Sequence, residues 1–428
     1  MKKSSNVKHI HVKEENTKKA PAIDLKVQSL DLQEIVRMGL QGFMMEVGMI
    51  AVKQVMEAEV EKLAGPRYGR DPENDKNRWG TQQGLVYVNG QKVNIQRPRV
   101  LRKTAGKHTE VELETYKAFS RPDAMNEAVM AKVLAGVSTR DYQKTVEHVL
   151  DGHGVSRSAV SRRTVKESGK LLEEFYVRQY ADSEFAVIML DGIGIADVDN
   201  IVALGIDVWG KKQVLGVRQG ATENTQVCLE LLEDLVERGL KVDDNYLFVI
   251  DGSKALSKAI KKVFGANAAI QRCQVHKRRN VSDKLPKEHQ ERIDKRLAAS
   301  YSMIEFGEAH KAVEKVFDEL VSLNESAAGS LLEGMEETLT VHKLGLTGDL
   351  KRILSSTNSI ESMFSMSRKY KRNVKKWNTK TNHIERTLVM TLIEAEGRFR
   401  RVRGYRELKD LKLKIKKLRA TTCNTKAA

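Results

Sequence analysis

The chain has 428 residues, 40% of them hydrophobic, and a formal net charge of +17 from 74 Lys and Arg against 57 Asp and Glu. That length suits two or three domains with real cores and excludes global disorder, and so large a cationic excess calls for a polyanionic partner, because neutralising phosphates releases their counterions. No apolar run approaches the roughly 20 residues that cross a bilayer, and the three cysteines, Cys228, Cys273 and Cys423, are too scattered for a disulfide framework.

Residues 1–30 read as a flexible basic arm. Residues 31–175 read as a largely helical region for DNA binding and oligomerisation. Leu32, Val36, Leu40, Phe43, Val47 and Ile50 recur at helical spacing, and Ala64-Gly65-Pro66 ends that helix. A basic run follows over 67–100, in which Val88-Asn89-Gly90-Gln91 predicts a hairpin turn. Such a hairpin can lie along a DNA backbone, and a solvated charged surface accounts for the same residues. Over 139–167, TRDYQKTVEHVL predicts a short helix, Asp151-Gly152-His153-Gly154 breaks it, and Ser156 caps a second. The second helix would present Arg157, Ser161 and Arg162 to a major groove, as in helix-turn-helix proteins. Ordinary packing of two short helices has the same pattern.

The texture changes at residue 184. Strands are predicted over 184–191, 201–208 and 213–217, a helix over 225–238, a strand over 246–251, a helix over 254–264 and a strand over 268–272. That order describes an α/β protein with an RNase H-like mixed-sheet core, its first part spanning 184–285. Charged helical segments without strands fill 286–355, a helical insertion. The core is completed over 356–400, and 401–428 form a basic C-terminal helix and tail, with Leu408, Leu411, Ile415 and Leu418 as its apolar stripe.

Asp191 and Asp251 each follow an apolar strand. Carboxylates brought together on neighbouring strands repel unless cations or protons balance them. Hard oxygen donors suit Mg²⁺, with Mn²⁺ as substitute, and two such ions roughly 4 Å apart can drive in-line phosphoryl transfer. Glu361, on a helix opening at Ser356-Thr357-Asn358-Ser359, supplies a third carboxylate. Asn358 and Glu361 also have the spacing of a capping pair, which accounts for Glu361 if the aspartates are set aside. Asp197, Asp199 and Asp207 read as turn or surface residues. After Glu361 come Arg368, Lys369, Arg372, Lys375 and Lys376 with Trp377. They can grip a DNA backbone while the indole stacks on an end base, or form a general basic surface with Trp377 in the core. Gly192-Ile193-Gly194 lacks the last glycine of a dinucleotide fingerprint and no phosphate-binding Gly-Lys-Ser/Thr loop occurs, so no nucleotide cofactor is expected.

Leu190-Asp191-Gly192, Val249-Ile250-Asp251-Gly252, Gln271-Arg272-Cys273-Gln274-Val275-His276-Lys277, Arg279-Asn280-Val281 and Asn358-Ser359-Ile360-Glu361 together carry a resemblance. Over roughly residues 31–405 the chain resembles the Mutator-type transposases of bacterial insertion sequences, DDE enzymes with an RNase H-like catalytic domain. The steps from 191 to 251 and from 251 to 361 are 60 and 110 residues, the longer one accommodating the insertion. The resemblance implies that Asp191, Asp251 and Glu361 are the metal-binding catalytic triad. It makes Cys273 and His276 a supporting C-x-x-H element, with Asn358 beside them and Lys277 near DNA phosphate. One such pair supplies two ligands where structural zinc takes four, so zinc is not expected. Glu223 matches a family position, although Val227-Cys228 stand near where a tryptophan is usual. The implied activity is recognition of terminal inverted repeats, cleavage of element ends and joining of a 3′-hydroxyl to target DNA. It implies a homo-oligomer on DNA, in the cytoplasm with chromosomal or plasmid DNA and away from membranes. Another RNase H-like nuclease and a noncatalytic DNA-binding regulator are the competing readings.

Overall fold

Gly65, at φ +76°, closes α1 (Leu32–Ala64) through its amide to the Glu61 carbonyl, the left-handed stop that only glycine takes without strain. The computed structural model describes residues 32–427, except 70, 89–90, 105–106, 122, 136–151, 154–156, 221–223, 373 and 375, and except the side chains of 32–43, 45, 88, 91, 123–128, 152–153 and 421–427. The N-terminal arm, the first helix of the predicted helix-turn-helix, Glu223 and Lys375 therefore lie outside the described residues. Two units divide between Glu167 and Ser168.

In the first unit α1 covers an antiparallel sheet of β1 (Lys76–Val88), β2 (Gln91–Thr104) and β3 (Lys107–Val111), with the short β4 (Gly152–His153) beside β2. Met49, Val52 and Met56 pack against Val86, Val93 and Ile95. The predicted hairpin is present, since Val88 pairs with Gln91. Of the helices expected here α1 and α4 (Arg157–Tyr176) are present, α2 (Glu114–Ser120) and α3 (Asp123–Leu134) are additional, and a sheet lies beside them. The turn signal announced β1 and β2, while β3 and β4 carried no comparable signal.

The second unit is a mixed α/β core. Strands β5 (Phe185–Ile195), β6 (Val198–Asp207), β7 (Lys212–Gly220), β8 (Leu247–Ile250) and β9 (Ala269–Arg272) are ordered β7-β6-β5-β8-β9. The β7-β6-β5 half is antiparallel and the β5-β8-β9 half parallel. Helices α5 (Thr225–Glu237) and α6 (Lys254–Phe264) cover one face through Leu229, Leu232, Leu235, Leu256 and Ile260. The helix α14 (Asn358–Lys371), α15 (His383–Glu396) and α16 (Leu408–Ala427) contribute Ile360, Phe364, Leu388, Leu411 and Ile415 to the cluster on the other. Coverage on both faces is why β5 and β8 read as unbroken apolar runs.

Between them, α7 (Gln274–Ser282) leads into α8 (Lys287–Ser302), α9 (Phe306–Leu323), α10 (Glu325–Leu332), α11 (Met335–Thr338), α12 (Thr340–Lys343) and α13 (Gly348–Leu354). Ile293, Leu297, Val313, Val316, Leu320 and Leu331 give this segment a cluster of its own. Among the described residues no helix is long and apolar enough to cross a membrane.

Two glycines test this packing. A β-carbon on Gly205 would lie 2.8 Å from the Phe185 ring and 2.9 Å from Leu215 Cδ1, so Gly205→Ala should cost about 1–3 kcal/mol in urea unfolding. Gly169 in α4 has open space around the same position, and Gly169→Ala should leave stability unchanged or raise it by up to about 1 kcal/mol.

Candidate active site

The parallel ladder sets the geometry. Leu190 pairs with Ile250, and Ile250 with Arg272, as the last rungs of β5-β8 and β8-β9. Asp191, Asp251 and Cys273 therefore occupy one rank, each a single residue beyond those rungs. Alternation along the strands adds direction. Val187, Met189, Leu247 and Val249 belong to the cluster containing Ile360, Met363 and Phe364, so Asp191 and Asp251 fall on the face that α14 covers. One expectation is corrected here. Asp191 does not end its strand, because Gly192 to Ile195 continue β5 by pairing with Ile201 to Val198 of β6. It ends only the parallel ladder.

Asp191 is 6% exposed, and its Oδ1 accepts the Gly192 amide at 2.9 Å. Asp251 Oδ1 accepts the Ser253 amide at 2.9 Å. Both line a cavity of about 190 Å³ with Gly192, Gly194, Asp199 and Ile201. Asp199, read from sequence as a surface residue, is thus a third carboxylate at this cavity. Asp251 also borders a larger cleft of about 640 Å³ with Asn224, Ser253, Lys254, Lys258 and Asn280. Lys254 and Lys258, one helical turn apart on exposed positions of α6, were missed; their spacing directly after Asp251 was the available signal.

Cys273 is the joint between this rank and Glu361. Its amide donates to the Ile250 carbonyl at 2.7 Å. Its Sγ accepts the amides of His276 at 3.5 Å and Thr357 at 3.4 Å, so the buried sulfur caps α7 and fixes the start of α14. Four residues on, Glu361 Oε1 accepts the Thr357 hydroxyl at 2.9 Å and lies 3.2 Å from His276 Nε2. Thr357, not Asn358, occupies the N-cap, and Asn358 is exposed. Glu361 is absent from the lining of the aspartate cavity. Among the described residues no three His, Cys, Asp or Glu side chains are grouped closely enough to hold a metal ion. Its present partners, His276 and Thr357, account for where the Glu361 carboxylate stands.

Arg272 connects the same region to the helical segment. It is 7% exposed; its Nη1 donates to the Gly252 carbonyl at 3.1 Å and its Nε to Glu337 at 2.6 Å. Gly334, at φ +66°, admits the guanidinium where a β-carbon would collide with it. Burial pushes the Glu337 carboxyl up, but hydrogen bonds from Lys261 and Arg272 outweigh that and hold it below its ordinary value.

Comparison with known proteins gives the family. The model for "Transposase, Mutator family" matches residues 21–401. The chain belongs to the Mutator family of transposases. It is 28% identical over 259 residues to the transposase for insertion sequence element IS256 in transposon Tn4001 of Staphylococcus aureus, covering 57% of this chain and 64% of that one. It is 28% identical over 327 residues to the transposase for element ISRM5 of Rhizobium meliloti, covering 74% and 79%. With the transposase for element IS905 of Lactococcus lactis it shares 26% over 365 residues, covering 83% and 86%.

The cationic residues expected to touch DNA divide in this Mutator-family chain. Arg157, Ser161 and Arg162 are exposed on α4, with Val160 buried between them. Arg368, Lys369, Arg372 and Lys376 are exposed at and beyond the end of α14. Trp377 is partly buried against the core and its ring centroid lies 5.3 Å from that of His383, a packing position. Lys277 corrects its expectation. It is 5% exposed and its Nζ donates to the carbonyls of Ser330 at 2.6 Å and Glu333 at 2.7 Å, tying α10 to α7 instead of facing a phosphate.

Burial, reinforced by the Arg272 charge, pushes the Lys277 amine down to about 8 from its ordinary 10.5. Between those values the unfolded chain carries a proton that the folded chain lacks, so this group makes stability rise with pH across that window, its full cost being borne below it. Lys277→Met should flatten that part of the rise in urea midpoints compared at pH 8 and pH 10. Arg272→Met, which leaves Glu337 only its Lys261 partner and the Gly252 carbonyl without this donor, should cost about 1–3 kcal/mol. A loss under 1 kcal/mol would show that the link between the Gly252 turn and the helical segment is not structural.

Proposed function

We propose that this chain is a DDE transposase with an RNase H-like catalytic core, which cleaves the ends of its element and joins the freed 3′-hydroxyl to target DNA. The observation that carries this reading is the shared rank of Asp191 and Asp251 beyond the parallel ladder of a Mutator-family chain. The sheet order, three antiparallel strands continued by two parallel ones, supports the RNase H-like assignment.

An all-carboxylate donor set of Asp191, Asp251 and Glu361 fits Mg²⁺, with Mn²⁺ as substitute, better than a softer metal. When bound, such cations supply charge neutralisation for in-line displacement at phosphorus. The chain's own residues do the rest. Asp191 pairs with Val202 of β6 and directly follows Leu190, which is paired on both sides, so its backbone is held. Cys273, Thr357 and His276 fix and orient Glu361. Lys254 and Lys258 line the cleft beside Asp251, where a scissile phosphate can be held. We assign DNA recognition and oligomerisation to 31–175, with Arg157, Ser161 and Arg162 toward a major groove. Catalysis belongs to 184–285 and 356–400, with 286–355 inserted between them. Arg368, Lys369, Arg372 and Lys376 follow the backbone of the bound end. The partners are terminal inverted repeats, target DNA and further copies of the chain, in the cytoplasm.

Asp191→Asn, Asp251→Asn and Glu361→Gln should each abolish metal-dependent end cleavage, by on the order of 10⁴-fold, while end binding persists. Losses should not add in the triple variant, because the three groups act as one unit. A pre-cleaved end should rescue none of them for joining. Rates are to be measured in Mg²⁺ and Mn²⁺ beside thermal unfolding. A folded triple variant that cleaves and joins at the parental rate would sink the assignment.

A further inference from the structure

We infer a second DNA-binding surface, at the opposite end of the central sheet from Asp191 and Asp251, built by the arginine-rich segment 398–406 docked on the β6–β7 turn. It rests on the DNA-directed reading above, but on none of the carboxylates.

The segment Arg398-Phe399-Arg400-Arg401-Val402-Arg403-Gly404-Tyr405-Arg406 puts five arginines into nine residues, and all five are exposed. A charge run of this kind is ordinarily a solvated, loose strand. Here it is pinned. Val402 is 4% exposed within the sheet's core cluster, and its amide donates to the Gly210 carbonyl at 2.9 Å. Gly210, at φ +79°, lies so close that a β-carbon there would collide with Tyr405 Cβ. The turn is itself fixed, because Asp207 Oδ1 accepts the amides of Trp209 at 2.9 Å and Lys211 at 2.8 Å.

The charges are not consumed locally. Arg398 pairs with Glu394 at 2.8 Å, but among the described residues Arg400, Arg401, Arg403 and Arg406 have no carboxylate partner. Cations instead lie over aromatic rings. Arg401 is 5.6 Å from the Tyr405 centroid, Lys212 5.2 Å from Phe399 and Lys409 5.9 Å from Trp209, whose indole is 47% exposed. Rings of this kind hold the cations in place without neutralising them. The result is a pinned backbone that carries five guanidinium forks, groups whose shape favours phosphate oxygens, and the fixed backbone lowers the ordering cost of binding.

Phe185 pairs with Asp207 and Asp191 with Val202, so six residues of β5 separate the turn from the carboxylates. At the rise of an extended strand that is about 20 Å. A duplex held here therefore runs well away from the scissile bond. Duplex DNA is favoured over an acidic protein because one indole is the only large exposed apolar group among the described residues of this turn, whose other exposed side chains are charged.

The test uses the full chain without divalent metal, so that it reads this surface even if the triad assignment fails. Binding of a fluorescent duplex lacking element ends is titrated across KCl concentrations. For Arg400→Gln/Arg401→Gln/Arg403→Gln the slope of log affinity against log salt should fall by about 2–3, near 0.9 for each phosphate no longer neutralised, and the corresponding triple lysine variant should keep it. An unchanged slope in a folded glutamine variant overturns the proposal. Should that variant not fold, phenylglyoxal modification of the unaltered protein decides. Duplex should protect Arg400, Arg401 and Arg403, and equal modification with and without it overturns the proposal. Protection by single-stranded RNA at tenfold lower concentration than by duplex would overturn the choice of DNA.

Discussion

The parallel pairing of β5 with β8 is the constraint on which the site depends, because it leaves neither strand another register. Four rungs, from Val187–Leu247 to Leu190–Ile250, are buried on both faces. Sliding β8 by one residue would turn Phe248 and Ile250 out of one core and Val249 out of the other. The apolar register thus fixes Asp191 and Asp251 in one rank.

The same rank explains why the residues between Asp251 and Glu361 can be so many without loosening the arrangement. Cys273 stands at its third position and reaches Thr357 through one sulfur, so the chain returns to the sheet where it left. Arg272, facing the other way, takes the Gly252 carbonyl and Glu337 together and ties the excursion to the turn after Asp251. Lys277 does similar work from α7 toward α10. Three residues of one short run therefore act through hydrogen bonds at the root of the helical segment, and a fourth, His276, pairs with Glu361.

Basic charge is distributed in the same spirit. Lysines that are buried, such as Lys277 and Lys371, are depressed to about 8 and serve the interior. Arg400, Arg401 and Arg403 instead stay exposed on a segment pinned through Val402. Sequence shows both as one undivided excess.

The sequence determined much by itself. Strands β5 and β8 were legible because unbroken apolar runs of that length have to be covered on both sides, and the hairpin of β1 and β2 because Asn-Gly suits a two-residue turn. The carboxylates stood out because each followed such a run. Other features were decided by tertiary structure alone. Asp191 lies inside its strand because β6 extends beyond β8, a fact about partners that β5 does not encode. Thr357 replaced Asn358 at the cap because Cys273 claims its amide from 84 positions away in the chain. Asp199 joined the aspartate cavity through pairing with Gly194, and Lys277 went inward because carbonyls of α10 awaited it. Local pattern reports what a residue can bury or bend; which distant donor or acceptor meets it is set only when the layers close.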